Sequence, residues 1–436
     1  MIYTTYDGTA ISTPGSTSAS ATPVWCDETL HPVVRAKCFI DARHVLRRNR
    51  LTGRLEMAPR PVGGSGPLLF EPLDASGKRT LMLELAEAGL PTLSMAQLDA
   101  AIDNRRVEAY DPIAAYLDAL PVWDGTDRID ALFALFTDDD FELSVLHRAF
   151  VATVAQMSGR GLHYGNELCP VLVSRQQGWG KSKFLRHLLP PELDAFFTDT
   201  FPLSREEECL RRMASYALIC LDEFDHYGGR RMALLKNLIQ LKDIRLRASY
   251  HSWMECRPRL ASFWGTSNRR YLLNDPTGSR RFFPVMLRRS IPVDVAIDHA
   301  QLYAQALAEL QDRKKRVWFT QKENERIERH NSPFCADKAL KRMLDNRFER
   351  LALSGRYCSD ARAQQLSLMT ASDVYAVVNA LDPELAACYT EQNFGSQLKA
   401  LGYSQLSGRS LRYYNMRLRK TDDDGPSAEL LSSHAE

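Results

Sequence analysis

The residues best suited to do chemistry follow a short apolar run. The stretch reads Pro170-Val171-Leu172-Val173-Ser174-Arg175-Gln176-Gln177-Gly178-Trp179-Gly180-Lys181-Ser182. Lys181 supplies a point charge, Ser182 a hydroxyl, and Gly178 and Gly180 a backbone that can approach a ligand closely. That set suits a polyphosphate. Backbone N–H groups at a turn and helix N-terminus hold phosphate oxygens, the lysine meets the β- and γ-phosphates, and the serine ligates Mg²⁺. The nucleotide-binding residues would be Gln177, Gly178, Trp179, Gly180, Lys181, Ser182 and Lys183. The full phosphate-loop pattern, G-x-x-x-x-G-K-[ST], puts its first glycine where this chain has Arg175. A Gly-Lys-Ser tripeptide also occurs in ordinary strand-to-helix turns, so the rest of the chain has to decide.

Three further groups bear on that reaction. Tyr216 to Leu221 is apolar and runs into Asp222-Glu223. Carboxylates closing a buried strand stand where α/β folds place their ligands. Asp222 would hold Mg²⁺, mostly through water, and Glu223 would polarise an attacking water as general base. Leu260 to Asn268 is another apolar strand, whose terminal Asn268 could orient that water. Arg280 and Arg281 lie between a glycine turn and the aromatic run Phe282-Phe283. Arginine stabilises the charge of phosphoryl transfer. Lys181, Glu223, Asn268, Arg280 and Arg281 are the candidate catalytic residues, and Ser182 and Asp222 the candidate metal ligands.

The elements that must position them follow from periodicity. Val171 to Val173 reads as a buried strand and Lys183 to Leu189 has helical spacing. An apolar stripe through Leu143, Leu146, Phe150, Val154 and Met157 predicts a helix that stops at Gly159. Ile244 to Arg247 and Arg257 to Leu260 could flank a protruding hairpin turn. Near the N-terminus, Leu51 to Arg54 could turn a hairpin, and Ser94 could cap a helix from Met95 to Ile102. Near the C-terminus, helices over Ala371 to Leu381 and Glu391 to Leu401 precede two strands, Tyr403 to Leu406 and Leu411 to Leu418. Helix, helix and basic hairpin read as a winged helix. Its candidate DNA contacts are Lys399, Arg409, Arg412 and Arg417.

The totals set bounds. The chain has 436 residues, 44% hydrophobic and 25% charged, with a net charge of +2. That is globular composition, with charges too evenly balanced to point to a class of partner. The nine cysteines are scattered, without a C-x-x-C pair, so neither a zinc site nor a disulfide framework is indicated. No apolar run approaches the roughly 18 residues of a membrane span, and no signal-peptide pattern opens the chain, so a cytoplasmic protein with no membrane partner is expected. The predicted organisation is a disordered tail over 1–25, a mostly helical domain over 26–140 and an α/β domain over 141–315. A helical connector over 316–365, a winged-helix-like domain over 366–421 and a disordered tail over 422–436 follow.

Four stretches together resemble the virulence-associated protein E family of phage, plasmid and integrative-element P-loop ATPases, relatives of superfamily-three and poxvirus-type primase-helicases. They are Asp111-Pro112 through Tyr116-Leu117 with Trp123-Asp124-Gly125 and Arg128; Gln177 to Ser182; the strand closing at Asp222-Glu223; and Thr266-Ser267-Asn268 followed by Asp275 to Phe282. The resemblance spans about residues 105 to 290 and is weaker on either side. It implies an α/β fold with an AAA+-like P-loop NTPase core. It also implies an ATP- and Mg²⁺-dependent DNA motor, a helicase of mobile-element replication, working as a homo-oligomeric ring, most simply a hexamer. Lys181 and Ser182 would carry the Walker A roles, Asp222 and Glu223 the Walker B roles and Asn268 the sensor role. Arg280 or Arg281 would reach the neighbouring subunit's site. Relatives place a DNA-touching hairpin before the sensor strand. Here it maps to Arg247 to Arg257, with Tyr250, His251 and Trp253 near its tip, making Arg247, Tyr250, His251 and Arg257 candidate DNA contacts. Partners would be single-stranded or origin DNA and a separate primase or replication initiator. Two rivals stand beside this reading: an ATP-gated binding switch that does not unwind DNA, and a small-molecule kinase. The asparagine-ended strand and the paired arginines weigh against the kinase.

Overall fold

The computed structural model describes residues 3–4, 10–11, 23–61, 66, 68–159, 164–247, 254–273, 279–292, 294–312, 315–353 and 356–419. The predicted tail over 422–436, most of that over 1–25, and Tyr250, His251 and Trp253 lie outside the described residues. The chain forms two compact units, Met1–Ala115 and Tyr116–Glu436.

The first unit sets three helices, Pro32–Arg43, Ala75–Glu87 and Met95–Ile102, against a four-stranded sheet. Strands His44–Asn49 and Leu55–Pro59 pair antiparallel, with Arg47 opposite Glu56. The predicted turn at Leu51 to Arg54 joins them. Asn49 Oδ1 accepts from the backbone N–H of Leu51 at 3.0 Å and Thr52 at 3.2 Å, and Gly53 takes φ +71°. Ser94 caps its helix in a capping box with Gln97. Phe39, Ile40, Leu81, Leu98 and Ile102 make the core. Several arginines crowded in this segment are used internally. Arg47 pairs with Glu56 at 2.7 Å and lies over the rings of Phe70 and Tyr110, while Arg48 pairs with Asp103.

The second unit is built on a five-stranded parallel sheet. Its strands are β1 (Cys169–Val173), β2 (Phe197–Thr198), β3 (Leu218–Leu221), β6 (Ser262–Ser267) and β7 (Phe282–Met286). A separate antiparallel hairpin, β4 (Asp243–Arg247) with β5 (Met254–Pro258), intervenes in sequence. The spatial order is β7-β1-β6-β3-β2. Every residue of β1, β3 and β6 is buried, which is why these strands read as continuous apolar runs. Helix α1 (Asp140–Ser158) starts at Asp139, whose carboxylate accepts from Phe141 and Glu142 N–H, and ends at Gly159 with φ +65°. Its Thr153 hydroxyl accepts from the buried Trp264 indole of β6 at 3.1 Å, and Trp264 stacks on Phe133. Helix α2 (Lys181–His187) follows β1, α3 (Gly229–Ile239) follows β3 and α4 (His299–Gln311) follows β7.

Beyond these lie α5 (Ala336–Arg347), β8 (Phe348–Arg350), β9 (Met369–Thr370), α6 (Ala371–Leu381) and α7 (Glu391–Ala400). Strands β10 (Gln405–Ser407), β11 (Arg412–Tyr414) and β12 (Met416–Leu418) are the last elements among the described residues. The sequence suggested one strand from Leu411 to Leu418. It is two, because Asn415 is buried between them. Its side-chain oxygen accepts from Ser404 N–H at 2.8 Å and its amide donates to the Leu351 carbonyl at 3.2 Å. The chain thereby passes from the β9-β11-β10 sheet to the β8-β12 pair. Val374, Val378, Phe394, Leu398, Tyr414 and Met416 share a core with Tyr271, which lies just beyond β6. Among the described residues no helix is long and apolar enough to cross a membrane.

Candidate functional site

β1 and β6 are neighbours in the sheet but far apart in sequence, so the segments leaving their C-terminal ends bring distant residues to one edge of the sheet, the edge where α/β folds bind ligands. The loop after β1 carries Gly178 at φ +77° and Gly180 at φ +80° into the start of α2. The two glycines are there for different reasons. A Cβ on Gly178 would meet nothing within 4 Å, whereas one on Gly180 would stand 2.7 Å from the Ile291 carbonyl oxygen. That carbonyl is held in place, since Ile291 N–H donates to Trp179 O at 3.1 Å. Arg175, at the position of the pattern's first glycine, has no positive φ. The loop therefore opens in a conformation that any residue can adopt.

Lys181 is 7% exposed and its Nζ donates to Ser174 Oγ at 2.6 Å and to Asn268 Oδ1 at 2.8 Å. Burial pulls its pKa below the ordinary lysine value, against the pull of Asp222 and Asp225. Ser182 Oγ donates to Asp222 Oδ1 at 3.0 Å, and Thr266 Oγ1 donates to the same oxygen. Two hydroxyls and one carboxylate thus gather at one point, a hard-oxygen set of the kind Mg²⁺ prefers. Glu223 follows at φ +51°, a left-handed conformation for a residue with a side chain. Such strain persists where surrounding structure imposes it and points to a site. Its carboxylate is exposed and lies 3.1 Å from His226 Nδ1.

Lys181, Ser182, Asp222 and Asn268 are thus brought together, with Glu223 next to Asp222 in the chain and Gln177 and Lys183 exposed on the loop and helix beside them. Trp179 turns its indole N–H to Gln176 Oε1 at 2.7 Å. Arg280 and Arg281 lie in a single turn before β7. Arg280 is exposed with no partner among the described residues, while Arg281 is half-buried with its guanidinium against the Gln240 side-chain amide. Of the candidate DNA contacts, Arg247 ends β4 and Arg257 lies half-buried in β5 and is engaged, while Lys399, Arg409 and Arg412 are exposed. Arg417 pairs with Glu349 at 2.8 Å across β12 and β8. The hairpin base is anchored by Arg259, which is 1% exposed and donates to the carbonyls of Ile239 and Asn166 and to Gln156 Oε1. Burial brings its pKa down to about 10.

Sequence reading missed four residues here. Ser174 and Thr266 are second partners of Lys181 and Asp222. Asp225, with its side chain 7% exposed, accepts from Ser267 Oγ at 2.8 Å and faces Arg269 at 3.3 Å. Glu384 reaches the site from the C-terminal segment. Its carboxylate accepts from Arg175 Nε at 3.0 Å and from the backbone N–H of Arg270, and Tyr271 OH donates to Asp382 at 2.5 Å. Only the polar ends of β1 and β6 hinted at the first two. Nothing local to Glu384 could have announced its contact, because Arg175 lies 209 residues away.

The second unit is a parallel α/β sheet that carries a lysine, a serine and an acidic pair at the C-terminal ends of its strands, where such folds place ligands. The family model for the virulence-associated protein E-like domain matches residues 117–335, just over half of the chain, and the chain belongs to that family. Among solved structures, an apo structure of the C-terminal region of NrS-1 matches with 12% identity and a TM-score of 0.39, over 88% of this chain and 99% of that one. Another apo structure of the same region matches with 13% identity and a TM-score of 0.41, over 89% and 100%. Likeness at that level decides nothing about this chain. No curated protein matches it.

Proposed function

We propose that this chain is an ATP-hydrolysing DNA motor of mobile-element replication, with a P-loop core that works as a ring. The observation that carries the reading is the Lys181 bridge. One buried ammonium group spans Ser174 on the β1 side and Asn268 on the β6 side, beside the Ser182–Asp222–Thr266 cluster. The order β7-β1-β6-β3-β2 also suits it, since it places the phosphate-loop strand next to the sensor strand and the acidic strand next to that.

The residues fit ATP and Mg²⁺. The buried Lys181 ammonium and the hard-oxygen donors around Asp222 are what a phosphate–metal pair requires. Ser182 and Asp222 would hold the metal, which when bound neutralises charge on the transferring phosphoryl group. Lys181 would exchange its two side-chain partners for phosphate oxygens. Release of Asn268 by Lys181 frees its amide to orient a water. Glu223, next to Asp222 in the chain, would take that water's proton. Arg280, exposed and unpartnered among the described residues, is the better finger for a neighbouring subunit, with Arg281 holding the turn through Gln240. The β4–β5 hairpin, fixed at its base by Arg259, would be the moving DNA contact, and the α6–α7–β10–β11 segment a winged helix that holds origin DNA or a partner.

A second reading, an ATP-gated switch without unwinding, is favoured by the Arg175–Glu384 pair, which ties the C-terminal segment to the loop. ATP turnover with and without single-stranded DNA, run beside native mass in ATP, separates the two. Strong stimulation on a multi-subunit assembly supports the motor. Turnover indifferent to DNA, on a monomer, refutes it in favour of the switch.

A further inference from the structure

Helix α5 and the segment after β6 enclose a groove that no residue named above as a DNA contact lines. It has a volume of about 340 Å³, and Arg270, Lys338, Arg342 and Arg347 line it together with Tyr271 and Met343. Three of its cations lie on α5, where Lys338 and Arg342 are one i,i+4 step apart and therefore about 6 Å along the axis. No aspartate or glutamate lines the groove. Lys338, Arg342 and Arg347 have no ion-pair partner among the described residues, and Arg342 and Arg347 are exposed. Carboxylates on α5 and on the segments beside it are engaged elsewhere, Asp345 of α5 among them, which accepts from Tyr403 OH at 3.4 Å. Asp337 accepts from Tyr389 and Gln397, Asp382 from Tyr271, and Glu384 from Arg175 and the Arg270 backbone. The floor is apolar, with Pro333, Leu381 and Leu385 beside Met343.

We propose that this groove binds the phosphodiester backbone of single-stranded DNA. Cations repeated one helical turn apart match a polymer with one charge per monomer. Guanidinium forks suit phosphate oxygens, and an apolar strip beside them takes sugar and base faces. The groove offers no sheet edge for a peptide strand, which argues against an acidic protein segment as occupant. The site also has a line to the nucleotide. Arg270 lies two residues past Asn268, the partner of Lys181, and its backbone N–H is held by Glu384. DNA in the groove would bear on the segment that senses ATP. The proposal deepens the motor reading and rests on it for the choice of DNA, but the groove is tested without nucleotide.

The test is binding of a fluorescent oligothymidylate of about 15 nucleotides, a length that covers one such site, to the full chain across a salt series. Lys338→Gln with Arg342→Gln removes two phosphate contacts. The slope of log affinity against log salt should fall by about 1.4, and affinity by about 25-fold near 0.1 M salt, from about 0.7 per contact on a single strand. Lys338→Arg with Arg342→Lys should restore both. Arg342→Gln alone should give half the slope change, and it decides the matter if the double variant does not fold. Unchanged slope and affinity in folded variants overturn the groove, even where wild-type protein hydrolyses ATP and binds DNA. ATP turnover of the same preparations reports on the motor reading separately. Polyglutamate that displaces the oligonucleotide and binds more tightly overturns the proposal in favour of an acidic protein partner.

Discussion

Gly178 and Gly180 look alike in sequence, and replacing each by alanine should separate them. Both have φ near +80°, so both substitutions carry the left-handed cost of about 1–2 kcal/mol. At Gly178 the new methyl group meets open space, and the cost ends there. At Gly180 it would stand 2.7 Å from the Ile291 carbonyl, a backbone atom that cannot swing aside. Relief requires parting Trp179 from Ile291, which forfeits a hydrogen bond worth about 0.5–1.5 kcal/mol and shifts the N–H groups that would cradle phosphate. Gly180→Ala should therefore weaken ATP binding at least about tenfold, the equivalent of about 1.4 kcal/mol of displaced geometry. Gly178→Ala should keep affinity within a few-fold while lowering the melting temperature by a few degrees. Fluorescent-nucleotide titration and thermal melting on both variants read this out. Equal losses of affinity, or full affinity in Gly180→Ala, would refute the account of the loop.

Other outcomes follow from the same contacts. Lys181→Ala should abolish ATP hydrolysis, and near-normal turnover would remove the phosphate-loop assignment. Arg280→Ala should bind ATP yet hydrolyse it poorly, and mixing it with Lys181→Ala should restore activity if the arginine acts across subunits; loss without rescue would place its action within one subunit. ATP affinity should fall on raising the pH through the lowered pKa of Lys181, earlier than an ordinary lysine near about 10.5 would allow, because only the charged form meets phosphate. His147 faces Asp130 at 2.6 Å and Glu309 at 2.9 Å. Burial opposes its protonation, but the two carboxylates outweigh that and raise its pKa above the usual 6.5. The stabilisation is complete below about pH 6.5 and lost as pH rises through the raised value. Melting temperature followed from about pH 6 to pH 9 should show that loss in the wild type and not in His147→Gln.

The local chemistry of the site was legible in order along the chain. Apolar runs that end in Asp222-Glu223 and in Thr266-Ser267-Asn268 read as buried strands with polar ends, and the Gly-Lys-Ser turn read as a strand-to-helix turn whose use the tripeptide alone left open. The helix stop at Gly159 and the helix start at Ser94 were equally plain, because both act through neighbours a few residues away. What tertiary structure alone decided has a common cause, sequence distance. The pairing of β1 with β6 rather than with β2 puts Asn268 on Lys181, a contact across 87 residues. The close approach of Ile291 makes Gly180 obligatory while Gly178 stays unconfined. Burial of Asn415 splits one predicted strand between two sheets. The departure at Arg175 looked like a defect in a phosphate loop. In the fold it is a backbone position without positive φ whose side chain reaches Glu384, because the position needs no glycine and its side chain is free to serve whatever packs beside it.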